Sequence, residues 1–374
     1  KSAFGYVLAG GEPIEPETLP ARLDQLAGHP DIQLIELPAS AATQPCETVA
    51  TPEPLQPARD YHGQPPEPWW IASYSALKVA EGDTAERPAA PETAQQNVLI
   101  ETRAEPVAVA VPVHTTQKPA AQEPADTAGI HQFPRGAEPG TFLHDLLEWA
   151  ADESFALSAT SPPALGHLIA RRCQRRGWQA WIKPLTAWLP AFLTTPLALP
   201  DGGQLTLAGV HNYRAEMEFW FEANRVGTLA LDRLVTAHTL QARPRPALQP
   251  DRLNGMLKGF IDLVIEHDGR YYIVDYKSNW LGPDNAAYTA DAMRDSVLHS
   301  RYDLQYAIYT LALHRQLRAR LPDYDYAQQV GGVLYLYLSG VDGTGHGVHG
   351  ERLPFALIDA MDRLFAEGET PDAD

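Results

Sequence analysis

The run Gly259-Phe-Ile-Asp-Leu-Val-Ile-Glu-His-Asp-Gly-Arg-Tyr-Tyr-Ile-Val-Asp-Tyr-Lys277 constrains this chain more than any other segment. Two apolar, β-prone stretches flank Asp268-Gly269, the dipeptide of a two-residue type I′ hairpin turn. Such a turn fixes the register, so that His267 faces Arg270 and Asp262 faces Asp275. The two carboxylates would stand with their Cβ atoms about 5 Å apart, which destabilises a sheet unless positive charge lies between them. A divalent cation supplies that charge, and hard oxygen donors select Mg2+ or Mn2+. Asp275 and Lys277 are two apart and share a strand face, while Tyr276 points the other way. One face thus offers two aspartates and a lysine around an ion. The plainer alternative has one aspartate capping the hairpin and the other in solvent. It accounts for either residue alone, but poorly for an in-register pair with Lys277 beside it.

Around this hairpin, residues 131–374 read as one α/β domain. Helical spacing runs over Thr141–Ala150, Leu165–Trp178 and Leu185–Leu193. Strand-like runs follow at Arg214–Phe221, Met256–Glu266 and Arg270–Tyr276. A long helical stretch from Ala286 to Leu321 is broken near Ser300, then come a strand at Gly332–Leu338 and a helix at Pro354–Phe365. In the second half of the broken stretch Leu304, Ile308, Leu311 and Ala312 make a buried stripe. Gln305 and Tyr309, four apart, stack on one flank. By itself that flank is an ordinary polar helix edge.

Composition matters for what precedes the domain. Residues 79–130 hold no Phe, Tyr or Trp, and 18 of these 52 are Ala or Pro. Such a stretch cannot bury enough apolar surface to offset its ordering entropy, so it is expected to be a flexible linker. Residues 1–78 look marginally globular, with a short helix expected at Leu19–Leu26 and a strand at Ile32–Leu37. Trp69-Trp-Ile-Ala-Ser-Tyr-Ser-Ala-Leu-Lys78 closes that region with aromatic anchors that need a partner. The chain opens on lysine rather than methionine, which suggests a piece of a longer protein.

The net charge of −18 argues against nucleic-acid binding through overall charge. It divides unevenly. Residues 1–130 carry 7 basic and 18 acidic side chains, residues 131–374 carry 22 and 29. The larger excess therefore lies outside the expected domain. Cys46 and Cys173 are too few for a disulfide framework or a cysteine-held cluster, so a reducing, cytoplasmic setting is expected. No secretory segment or membrane span is expected either. No Gly-x-x-x-x-Gly-Lys-Ser/Thr loop occurs, so this chain is not expected to hydrolyse ATP. The Gly343–Gly350 run contains a His-x-x-His pair, His346 and His349, but no third ligand nearby, and reads as a loop.

Gly259-Phe-Ile-Asp262, Asp275-Tyr-Lys-Ser-Asn279 and Gln305-x-x-x-Tyr309 resemble the PD-(D/E)xK nuclease domain of the RecB family, the beta subunits of exodeoxyribonuclease V. The likeness extends to Phe133–Leu147, Gly255–Asp262, Tyr276–Gly282, Arg301–Tyr306 and Gly331–Tyr335, covering nearly all of residues 131–374. Trp70–Leu77 is similar to the stretch where the family leaves its helicase region, which would make residues 1–78 a helicase remnant. The resemblance implies a central mixed sheet flanked by helices and a metal-dependent nuclease acting on DNA ends in double-strand break repair and recombination.

It also implies roles. His144, Asp262 and Asp275 match the metal ligands, with the Tyr276 carbonyl as a further donor, and Lys277 matches the catalytic lysine. Glu216 matches the catalytic-site glutamate, although Glu218 lies on the same strand face and residue pattern alone does not choose between them. Gln305 and Tyr309 match the motif that supports the site and contacts DNA. Arg301, Lys258 and the Arg171–Arg176 cluster are candidates for steering the substrate, the cluster serving equally well as a solvated helix face. Implied partners are single-stranded DNA and duplex ends, RecC- and RecD-like subunits and a RecA-like recombinase. Two further readings use the same residues: a non-catalytic docking module, and a stand-alone restriction-type endonuclease.

Overall fold

The computed structural model describes residues 16–27, 35, 69–74, 77 and 129–368. The chain divides into two units, residues 1–64 and residues 65–374. In the first, α1 (Leu19–Ala27) forms where the sequence placed a helix. The strand expected at Ile32–Leu37, Cys46 and most of the expected linker lie outside the described residues.

The second unit is built on a six-stranded mixed sheet. Its long members are β4 (Asn212–Gly227) and β5 (Arg252–His267), antiparallel along nearly their full length. The Asp268-Gly269 turn forms as expected, with Asp268 at φ +50° and Gly269 at φ +74°, and joins β5 to β6 (Arg270–Lys277). His267 pairs with Arg270 and Leu263 with Val274. The register read from the turn is thus the register observed. β7 (Val330–Tyr337) lies parallel to β6, and β8 (Val348–Glu351) closes that edge antiparallel.

Interior strands of this kind are buried on both faces. On β7, Val333, Tyr335 and Tyr337 enter one core cluster, while Leu334 and Leu336, with Leu338 just beyond the strand, enter the other. The first cluster is closed by α6 (Thr228–His238), α7 (Ala290–Ser300), α8 (Tyr302–Arg320) and α10 (Phe355–Glu367). The second is closed by α2 (Ala137–Asp152), α3 (Phe155–Ala159), α4 (Pro163–Arg176) and α5 (Ile182–Thr194). A small ribbon of β2 (Leu197–Ala198) and β3 (Gln204–Leu205) and a one-turn α9 (Tyr326–Gln329) complete the unit.

Apart from α3, α6, α9 and the β2–β3 ribbon, which the sequence reading did not anticipate, three elements differ from the sequence expectation. The first helix of the domain starts at Ala137 rather than Thr141, because Pro139 sits in the opening turn, where its missing N–H would have no helical partner, and the Gly140 N–H bonds the Gly136 carbonyl at 3.1 Å. Part of the glycine-rich run read as a loop becomes β8, a four-residue edge strand too short to show an alternating pattern. His349 sits inside it, buried, while His346 is tied into the loop by Asp342 at 2.8 Å. Finally Trp70–Ala72, assigned from sequence to the region before the linker, forms β1 and pairs parallel with Gly255–Leu257 of β5. Ala72 and Leu77 are buried in the first cluster.

Candidate active site

The site forms where the ladders around β5 open. Ala215 pairs with Leu263 and Met217 with Ile261, which sets Glu216 opposite Asp262, yet Glu216 itself makes no ladder pair and sits at φ +45°. On the other side of β5 the hairpin pairing stops at Leu263 and Val274, one step short of Asp262 and Asp275. Three carboxylates thus occupy one row across β4, β5 and β6, at the position where the sheet gives up its regular hydrogen bonds. The Asp262 carboxylate accepts the Tyr276 backbone N–H at 2.8 Å, so a side chain takes over the bond that the ladder relinquishes.

Asp275 and Lys277 point into the first cluster and are 2 % and 1 % exposed. Their charged ends meet at 2.6 Å. Lys277 Nζ also donates to Gln305 Oε1 at 3.1 Å and lies 4.0 Å from the Tyr302 ring centre and 4.9 Å from that of Tyr335. Gln305 is held in turn: its Oε1 accepts the Tyr335 hydroxyl at 2.9 Å, and its Nε2 donates to the Tyr309 hydroxyl at 3.1 Å. A buried ammonium with a carboxylate, an amide and two aromatic faces around it has its charge compensated in a fixed geometry. Gly259 contributes at a distance. A Cβ there would come within 2.5 Å of the Phe219 ring, which packs edge-on against Tyr309.

From the opposite face, α2 brings His144, whose Nδ1 lies 3.5 Å from Asp262 Oδ2 and whose ring meets Tyr276 edge-on. Glu216 is exposed along β4, yet desolvation of its carboxyl end together with the charges of Asp262, Glu148 and Asp275 pushes that carboxyl up to about 8. That crowding of carboxylates is what a cation would relieve. Among the described residues no three His, Cys, Asp or Glu side chains stand close enough to hold an ion as they are. The donor chemistry nonetheless fits a hard divalent ion: three carboxylates in one row, with an imidazole adjoining.

His144, Asp262, Asp275, Tyr276, Lys277, Gln305 and Tyr309, singled out from sequence, are therefore brought together. Glu216 joins them and Glu218 does not. Glu218 pairs with Lys258 at 2.8 Å on the exposed part of β4, which also takes Lys258 out of the site.

Arg301 is placed elsewhere than expected. It is 1 % exposed and bound to Asp232 at 2.7 Å, Asp303 at 3.1 Å and the Pro246 carbonyl at 2.6 Å, so it has no surface to offer a substrate. In the Arg171–Arg176 cluster, Arg172 donates to the Asp145 carbonyl and Arg176 pairs with Glu138, while Arg171 and Arg175 face solvent. Sequence reasoning missed Tyr302 and Tyr335. Both read as ordinary core aromatics, and only the fold shows that their rings flank Lys277.

A profile of the PD-(D/E)XK nuclease superfamily matches residues 123–367. The chain belongs to that superfamily. Within it, this nuclease domain is similar to the RecB subunit of the RecBCD enzyme from Escherichia coli K12, at 36% identity over 98% of this chain and 29% of the relative. The RecB subunit from Haemophilus influenzae is 36% identical over 64% of this chain and 19% of its own length. That from Mycobacterium tuberculosis H37Rv is 31% identical over 65% and 25%. The chain thus spans less than a third of each of these relatives. No helix among the described residues is long and apolar enough to cross a membrane.

Proposed function

We propose that this chain is the nuclease-bearing C-terminal part of a RecB-type subunit, hydrolysing DNA phosphodiesters at DNA ends with Mg2+ or Mn2+. The observation that carries the reading is the row of Glu216, Asp262 and Asp275 across three strands, with Lys277 locked beside it by Asp275 and Gln305. Asp262, Asp275, His144 and the Tyr276 carbonyl would hold the ion, with Glu216 at its margin. When bound, the ion lowers the pKa of a coordinated water and polarises a phosphate oxygen. Lys277 keeps its ammonium fixed for the charge that builds on the phosphate, and its preorganisation by Gln305 avoids reorganisation during the reaction. Glu216, crowded by Asp262 and Asp275, would lose that repulsion once the ion is bound and would stand as a carboxylate at the edge of the site.

The likeness to RecB subunits supports the wider setting: RecC- and RecD-like partners, DNA as single strands and duplex ends, hand-over to a RecA-like recombinase, and a cytoplasmic location in a bacterium. ATP hydrolysis would be supplied from outside this chain. The test is degradation of single-stranded DNA with Mg2+ by the chain and by Asp275→Ala. Cleavage by the parent alone supports the reading. No cleavage by the parent at any Mg2+ or Mn2+ concentration would leave the docking module, and discrete bands from duplex DNA would point to the restriction-type alternative.

A further inference from the structure

The proposed reaction needs Gln305 at a fixed distance from Lys277, and Gln305 lies in the first turn of α8. That turn begins at an unusual splice. Arg301 alone separates α7 from α8 and adopts φ +56°, ψ +33°, a left-handed conformation that a branched-free but bulky residue rarely takes without support. Its guanidinium is held by Asp232 of α6, by Asp303 and by the Pro246 carbonyl. Arg245 adds a bond from the other side, meeting Asp303 at 2.8 Å.

The backbone of the splice is held by a residue from outside residues 129–368. The Arg301 carbonyl starts α8 by accepting the Leu304 N–H at 3.0 Å, and it also accepts the Tyr74 hydroxyl at 2.8 Å, with the Ser300 carbonyl at 3.2 Å from the same hydroxyl. Tyr74 follows β1 directly, and β1 is laid against β5 between Gly255 and Leu257, on the strand that carries Asp262. Close approach is built in: Gly255 sits at φ +139°, and a Cβ on it would lie 2.0 Å from the Trp70 carbonyl oxygen. Burial pushes the Tyr74 phenol far up, so the hydroxyl keeps its proton and stays a donor across the working pH range.

We propose that Trp70–Tyr74, which the sequence places before the Ala/Pro-rich segment, is a positioning element of the nuclease site. Through β1 it fixes the β5 strand below Asp262, and through the Tyr74 hydroxyl it fixes the α7–α8 splice that presents Gln305 to Lys277. The catalytic domain is then assembled from both sides of the linker sequence. A displacement of the chain before residue 70 would reach the active site through one hydroxyl and three strand pairs.

The activity readout rests on the nuclease reading, so the experiment has two arms. In the full chain, Tyr74→Phe keeps the ring and removes the donor. Turnover should fall about tenfold with KM unchanged, and Tm should move by less than about 2 °C. Turnover within about twofold of the parent would overturn the proposal. For the second arm a protease site is placed within residues 79–128 of the full chain and cut after folding. The two pieces should co-elute, and adding Gly255→Val to the cleavable chain should release the N-terminal piece. Separation of the unmutated pieces with turnover intact would sink the idea. A parent that cuts no DNA defeats the nuclease reading instead, and co-elution still decides whether β1 belongs to the domain.

Discussion

At the scale of single residues, environment decides what identical side chains do. Glu216 and Glu218 lie on one strand with the same chemistry. Both are exposed along β4, but one adjoins Asp262 and Asp275 while the other is paired with Lys258. Glu216→Gln should therefore cut turnover by at least about a hundredfold, while Glu218→Gln stays within about twofold, since exposed pairs contribute little. Steady-state rates on single-stranded DNA check both. Arg301 makes the converse point. Its three anchors need a planar fork that lysine lacks, so Arg301→Lys should lower stability by about 3 kcal/mol in urea unfolding. The salt dependence of DNA binding should stay unchanged, because a residue that touches no phosphate releases no counterions. A flatter salt slope in that variant would return Arg301 to the substrate path. Sequence spacing could place Arg301 beside Gln305 but not say which way the guanidinium turns. That depends on Asp232 and Pro246, more than fifty residues away.

Among elements, legibility followed the strength of the local pattern. The β5–β6 hairpin was readable as far as Leu263 and Val274 because a two-residue turn leaves no freedom of register, but the opening of the ladder at Asp262 and Asp275 was not. The break expected near Ser300 falls at Arg301, where the two helices meet. β1 was not readable, because three residues carry no period and their partner strand lies nearly two hundred residues later. β8 was hidden by its shortness and by the glycines that precede it, and with it a buried histidine. His349 lies against Tyr306 of α8 and across from Tyr335 of β7, and burial with Arg294 of α7 nearby lowers its pKa to about 4. The sign follows: the imidazole is neutral in the fold, and below about pH 6.5 the unfolded chain takes the proton first. This contribution is complete above that pH and is lost as pH falls toward about 4. Going from pH 6.5 to 5 should cost about 2 kcal/mol. His349→Phe, which can still stack on Tyr306, should flatten that part of the stability profile. An equally steep acid slope in the variant would show that other groups carry it.

On the scale of the whole molecule, the site lies at the seam between two cores. Asp275, Lys277 and Gln305 belong to the face packed by α8, whereas His144 and the Tyr276 ring belong to the face packed by α2. The row of carboxylates crosses the sheet between them and repels itself. In the proposed reading net charge is therefore a poor guide to substrate, since the acids at the site are ones that a cation would gather. An ion held by His144, Asp262 and Asp275 would replace repulsion with a link joining the two helical layers through the sheet. Binding to the folded state alone should then raise the stability of the entire domain, by about 2.7 kcal/mol at a hundred times the dissociation constant. Thermal unfolding with Mg2+ or Mn2+ and again after chelation measures it. Asp262→Asn is the informative variant, because its amide oxygen can still accept the Tyr276 N–H while the charge is gone. Without metal it should unfold no earlier than the parent, one repulsive carboxylate having been removed. With metal it should gain far less. Equal gains in parent and variant would place the ion away from Asp262 and leave the carboxylate row without the role assigned to it.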